Sequence, residues 1–512
     1  MSVTRRVAAN SMWYGLEVGF GAATMVVTSV LLSRIFGPER LGYYNYIVWL
    51  TYVAGVLGTV GVPLATLKFM TEYLSKDEPG TAYRIYQLGM RVQLALMSVL
   101  VLGLLAGVWF LAPPEHRWMT TLLVVGIAPR MIGFMPAQIN SAAQELHRNL
   151  PSSIAANFTS VAVILLTLKM DWGLLGLAAS HPAGHFVDLA LKLAMTAGRR
   201  NEWKRAAAGV KLDPALRLRM RNFAAQGLGL LVLNVVVWDR SDVLLLRHLN
   251  PDLSQVTFFS YSFTLVEKLL LIPQVVAGSM GLNLLSQQAL DQRRMTATAV
   301  SSAVYLLLIG LPVMLGAVAL SRPLWMIYGD KFAPAVPVFV IMTLLAVSRT
   351  IQYPATLLLQ ATENQGFLLW LGVGCASVNL GLDAMLIPAH GAVGAAIGNG
   401  VGQTLSALGA WAFIARKYSP DLMTAVAGRI VASGLVMAGA ALAATWWLPP
   451  LAGAAAGLLT GVFVYAAMLR LTRALGQEDR NRLESIAGAL PGALRYPFHR
   501  LLWTVIPNAP AR

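Results

Sequence analysis

About fourteen apolar runs, most of 20 residues or more, recur along this chain of 512 residues, and each is long enough to cross a hydrocarbon core of about 30 Å as a helix. They fall near 10–33, 43–67, 85–111, 118–142, 151–171, 173–197, 222–246, 256–285, 297–320, 334–360, 366–388, 391–415, 425–448 and 451–471. In lipid every backbone N–H and C=O must be satisfied within the segment, which leaves helices as the form such runs take. The composition agrees, with 57% hydrophobic and only 12% charged residues, against roughly 25% charged in a soluble domain. The predicted fold class is an all-α polytopic membrane protein.

The runs are not independent. Leu31-Leu32-Ser33-Arg34-Ile35-Phe36-Gly37-Pro38-Glu39 returns as Leu244-Leu245-Leu246-Arg247-His248-Leu249-Asn250-Pro251-Asp252. Arg130-Met131-Ile132 with Pro136 returns as Arg349-Thr350-Ile351 with Pro354, and Gly173-x-x-Gly176-x-Ala178 as Gly391-x-x-Gly394-x-Ala396. The three offsets are about 213, 219 and 218 residues, so the chain reads as two copies of one unit in parallel register. Repeats of this kind are characteristic of transporters, with the substrate site between the copies. The expected organisation is a first lobe over 1–197, a basic linker over 198–221, a second lobe over 222–417, two further helices over 425–472 and a tail over 473–512. The two six-helix lobes are expected to be related by a pseudo-twofold axis.

A formal net charge of +16 suggests nucleic acid until the charges are placed. With the N-terminus in the cytoplasm, alternate loops hold about 26 Lys and Arg inside, about 7 outside and about 6 in spans, which is the positive-inside pattern. Both termini are then cytoplasmic and the outside loops short. The densest block, Arg199, Arg200, Lys204, Arg205, Lys211, Arg217, Arg219 and Arg221, falls in the linker, where it would also favour anionic lipid. In the tail, Leu483, Ile486, Ala487 and Leu490 follow helical spacing and Phe498, Leu501, Leu502 and Trp503 lie among basic residues, the pattern of an interfacial helix. The single Cys375 excludes a disulfide framework within the chain and a cysteine-based metal site. Arg5 and Arg6 precede a first run too long for a removable signal.

Ionisable side chains inside spans cost about 2.5 to 3.5 kcal/mol each at a helix centre, so they face a partner or a wet cavity. Arg130 and Arg349 are the foremost pair, one per copy and near mid-membrane. Two readings are open: guanidinium groups clamping phosphate oxygens, or arginines holding carbonyls freed by Pro136 and Pro354. His181, His185, Asp188 and Lys192 share one face of the sixth helix. The repeat lays Asn399 and Gln403 over the two histidines, and two facing polar stripes would line a hydrophilic chamber. Satisfied packing, a protonatable switch and, least of all, a metal site are the other readings of the stripe. Glu17, Asp188, Lys192, Asp239, Arg240, Asp242 and Glu267 are candidates for ion pairs, either fixed or exchanging partners between inward-open and outward-open states. Arg91 and Lys268 are candidates for recruiting an anionic head group, and Asp383 is a further intramembrane acid. Gly453, Gly457 and Gly461 form a small-residue face for helix contact. The chain carries no P-loop, Gly-x-Ser-x-Gly or His-Glu-x-x-His, so nucleotide-driven transport and hydrolysis find no support. No metal or cofactor is expected, and the chain reads as a non-enzyme.

Asn10 to Trp13 opening the first helix, Arg34-Ile35-Phe36-Gly37-Pro38-Glu39-Arg40-Leu41-Gly42-Tyr43 after it, and Gly173-Leu174-Leu175-Gly176-Leu177-Ala178 opening the sixth form an ordered set. In that order the chain resembles the polysaccharide flippases of the multidrug/oligosaccharidyl-lipid/polysaccharide exporter superfamily. The resemblance runs over nearly the whole chain. It implies two six-helix lobes around a cavity open to one side at a time. It also implies export of a lipid-linked oligosaccharide, usually on undecaprenyl pyrophosphate, from the inner to the outer leaflet of the cytoplasmic membrane. Helices thirteen and fourteen would border a groove for the lipid tail, proton or sodium coupling is allowed, and polysaccharide assembly proteins are candidate partners. A lipid II flippase or a cation-coupled multidrug exporter of the same superfamily are the nearer alternatives. A membrane glycosyltransferase or polymerase is the distant one, disfavoured by the short outside loops and the repeat.

Overall fold

The computed structural model describes residues 3–232, 241–286, 292–476 and 479. Trp238, Asp239 and Arg240, and the tail beyond 479, lie outside them. The described residues are helical throughout, with no strand. Nine of the helical segments are long and apolar enough to cross a membrane by length and composition, which makes this a multi-pass membrane protein. The chain divides into two compact units, Met1–Leu32 with Arg40–Val243, and Ser33–Glu39 with Leu244–Arg512.

The first two expected spans are two helices that follow one another within Val3–Gly58, labelled α1 together, and the break between them is at Gly37 (φ 69°, ψ 163°). The Gly-Pro pair reads as a turn in sequence, but a single residue does the work. Gly37 takes a conformation that glycine alone enters cheaply. Pro38, at the first position after it, has no N–H for the helix to miss. The first unit continues with α2 (Val62–Leu74), α3 (Pro79–Leu111), α4 (Arg117–Val125), α5 (Ile127–Ile132), α6 (Phe134–Ala142), α7 (Leu150–Met170), α8 (Gly173–Met195), α9 (Ala197–Ala206) and α10 (Pro214–Val232). The expected span 118–142 lies within one candidate span, Pro114–Ala142, made of three helical pieces divided at Gly126 and Gly133. This jointed path carries Arg130 on α5, whose neighbours in the fold are α3 and α8.

The basic segment after α8 folds back as α9 and the start of α10. Trp203, Leu212, Leu216 and Met220 are buried in one cluster with Phe69, Met70, Ile85 and Tyr86 of α2 and α3. Arg84 donates to the Ala207 carbonyl at 3.1 Å, and Arg199 pairs with Glu145 at 2.8 Å. Hydropathy alone marks this stretch as a linker because its apolar residues are thinly spaced among the cations.

The second unit comprises α11 (Asp242–Leu249) from Leu244 onward, α12 (Ser254–Ser286), α13 (Gln292–Ala319), α14 (Ser321–Tyr328), α15 (Ala335–Ala361), α16 (Gln365–His390), α17 (Ala392–Tyr418), α18 (Thr424–Trp446) and α19 (Pro450–Leu471). An aromatic hub of buried Trp325, Tyr328, Phe332 and Phe339 anchors one end, with the Trp325 and Tyr328 rings 4.9 Å apart. The seven residues Ser33–Glu39 belong to this end. Ser33 Oγ donates to the Tyr328 carbonyl at 2.9 Å, and Arg34 donates to the carbonyls of Ile327 and Met326, both at 2.8 Å. Three carbonyls at the C-terminus of α14 thereby gain acceptor contacts, the Met326 one in addition to the Gly329 N–H at 3.2 Å. The repeated arginine that marks the duplication is a helix cap.

Candidate functional site

In the first unit the polar stripe of α8 is packed against α4 and α5. Gly126 allows this approach, since a Cβ there would sit 3.3 Å from the Pro182 nitrogen. The His181 Nε2 and the Tyr44 hydroxyl are hydrogen-bonded at 2.6 Å, and the His181 and His185 rings lie 6.2 Å apart. The Arg130 guanidinium carbon stands 4.9 Å from the centre of the Tyr52 ring, within cation–π range. Arg130, His181, His185, Tyr52 and Thr51 border a void of about 20 Å³, room for about one water. One turn further along α8, Lys192 Nζ donates to Asp188 at 2.7 Å, a largely buried pair. The other Asp188 oxygen is buried without a hydrogen-bond partner among the described residues. Glu17 accepts from Ser153 at 2.5 Å. Arg91 is exposed on α3 and does not border the void.

In the second unit the equivalent arginine borders a much larger space. A cavity of about 360 Å³ is lined by Leu270, Pro273 and Gln274 of α12, Leu306 of α13, and Arg349, Thr350, Gln352, Tyr353 and Thr356 of α15. Arg349 is ion-paired through Nη1 with Glu267 on α12. Its partner is therefore a carboxylate, not the carbonyls near Pro354; Trp411 Nε1 donates at 2.9 Å to the Ile351 carbonyl there. Both members of the pair are partly exposed, at 24% and 32%, so the charges are partly screened; Arg349 lines the cavity and Glu267 does not. Gln352 is held by a 2.9 Å hydrogen bond to Ser406, and Ser348 and Thr404 meet at 3.2 Å. The lining thus offers one guanidinium, amides, hydroxyls and an aromatic ring, donors and surfaces suited to phosphate oxygens and sugar hydroxyls.

Not every sequence candidate joins these spaces. Asn399 and Gln403 are buried in α17 and bonded to each other at 2.8 Å, and neither lines the cavity. Lys268 follows Glu267 but is absent from the lining. Asp242 is wholly buried at the start of α11. Tyr44 and Tyr52 are not among the sequence candidates, yet they are the partners of His181 and Arg130. Their only signal in the sequence was their aromaticity. A third feature comes from packing: Asp383 and, one turn before it, Asn379 are buried in α16 facing Gly398 of α17, where a Cβ would collide with the Asp383 carboxylate. No three His, Cys, Asp or Glu converge as a metal site among the described residues.

No protein-family model and no curated protein sequence matches the chain. Solved structures do. The lipid II flippase MurJ in an inward-closed conformation superposes with a TM-score of 0.66 at 14% identity, over 90% of this chain and 98% of that one. An inward-facing multidrug-resistance MATE transporter of the MOP superfamily gives 0.63 at 10% identity, over 82% and 95%. A MOP superfamily transporter from Pyrococcus furiosus, described as having a binding pocket of reversed polarity, gives 0.58 at 11% identity, over 81% and 96%. The chain has the fold of MOP superfamily transporters.

Proposed function

We propose that the protein is a flippase for a lipid-linked oligosaccharide of the undecaprenyl-pyrophosphate type, moved from the inner to the outer leaflet of the cytoplasmic membrane for polysaccharide assembly. The observation that carries this reading is the cavity of about 360 Å³ in the second unit, whose Arg349, Gln274, Gln352, Thr350 and Thr356 combine one cation with neutral donors. An anionic head group bearing sugars uses both kinds of group. Glu267 holds the guanidinium until a phosphate replaces it. Two negative charges leaving an inside-negative cell gain about 2.3 kcal/mol each per 100 mV, so the membrane potential alone can drive export.

A lipid II flippase is the second reading, favoured by the MurJ superposition over 90% of the chain; it shares the polyprenyl-pyrophosphate chemistry and differs in the sugar. A drug exporter would use Glu267 in place of Arg349. Proteoliposomes loaded separately with fluorescent undecaprenyl-pyrophosphate oligosaccharide, lipid II or a lipophilic cation distinguish the three. Protection of the first from an external probe, lost on Arg349→Ala, supports the proposal, and movement of the cation alone sinks it.

A further inference from the structure

The segment from α9 into α10 is two-faced. Trp203, Ala207, Leu212, Leu216 and Met220 are buried against the first unit. Lys204, Arg205, Lys211, Arg217 and Arg221 are exposed. The cations nearer the body are engaged: Arg84, Arg199, Arg200 and Arg219 bond to Ala207, Glu145, Leu193 and Glu72, and Lys68 sits 3.9 Å over the Phe223 ring. The five outward ones make no such bond within the described residues, and only Glu202 and Asp213 lie among them in sequence. Leu218, at 48% exposure, projects from the same stretch.

We propose that this face is a docking surface for anionic phospholipid, a preformed seat for the phosphates of phosphatidylglycerol or cardiolipin. Three observations point to lipid. The segment joins the apolar runs 173–197 and 222–246 that the sequence reads as spans, so its cations stand within a few residues of the expected hydrocarbon boundary, where head-group phosphates are concentrated. Leu218 gives the surface an apolar point to enter the interface, as amphipathic membrane-surface elements do. The buried residues hold the cations in fixed positions before any lipid arrives, so binding orders little that is not already ordered.

The test uses the full chain in nanodiscs. Native mass spectrometry of cardiolipin retention is compared between wild type and K204Q/R205Q/K211Q/R217Q/R221Q. We expect retention to fall about tenfold, and the wild-type value to fall with rising salt. A control with the same loss of charge elsewhere, at exposed Arg40, Lys169, Arg322, Lys331 and Arg416, should keep wild-type retention. Equal loss in both variants overturns the proposal, because net charge alone would then explain it. Unchanged retention in the first variant overturns it too. Photo-crosslinking of wild type with a diazirine phosphatidylglycerol needs no variant. Adducts on 204–221 support the surface, and adducts confined to other helices, or capture of a protein there without lipid, refute it.

Discussion

At the scale of single residues, the two arginines matched by the repeat live in different electrostatic worlds. Arg349 has a carboxylate partner, so its removal leaves Glu267 uncompensated. We expect Arg349→Ala to destabilise the protein by about 1–2 kcal/mol, reduced from the buried-pair value by the partial exposure of both groups, and Glu267→Gln to destabilise less while tightening retention of an anionic head group. Thermal melts together with binding of a pyrophosphate lipid check this; weaker binding in Glu267→Gln would contradict a competition between Glu267 and phosphate for Arg349. His181 is tied to Tyr44 at 2.6 Å. Tyr44→Phe leaves the imidazole without that partner, and a loss of about 1–2 kcal/mol in thermal stability is expected.

At the scale of elements, close helix approach and capping decide what tolerates change. α16 and α17 meet with backbones in contact at Gly394, where a Cβ would lie 2.6 Å from the Leu386 carbonyl carbon. Gly394→Val should therefore cost about 2 kcal/mol or more by forcing the helices apart, read as a fall in melting temperature with a matched Gly428→Val control, which meets open space. Trp203→Ala empties the cluster that holds α9 down and should cost about 3 kcal/mol; trypsin would then cut after Lys204, Arg205 or Lys211 faster than in wild type. Most of the element order was legible in the sequence, because spans announce themselves by length and apolarity. The docked α9 was not, since Trp203 is a lone aromatic among cations and its burial depends on α2 and α3. The joints at Gly126 and Gly133 were hidden by unbroken hydropathy. Arg130 and Arg349 were singled out as candidates through the repeat, but the pairing of Arg349 with Glu267 was not legible, because distance across 82 residues is a property of packing and not of pattern.

At the scale of the whole molecule, a potential-driven exporter of an anionic lipid should run faster in vesicles as the starting side is made more negative. We expect flipping of a pyrophosphate lipid to rise several-fold per 100 mV of imposed valinomycin–potassium potential, measured by loss of head-group labelling; a flat response would point to a coupled ion instead. One feature reaches beyond transport into synthesis. The bond from Ser33 to Tyr328 spans 295 residues, and its segment belongs to the second unit although it leaves the ribosome among the first turns. Most of the chain must be translated before those three carbonyls and their caps can meet. A gene split in the basic segment therefore cannot yield a complete second half from the downstream fragment, whose α14 lacks Ser33 and Arg34 until the upstream fragment is made in the same cell.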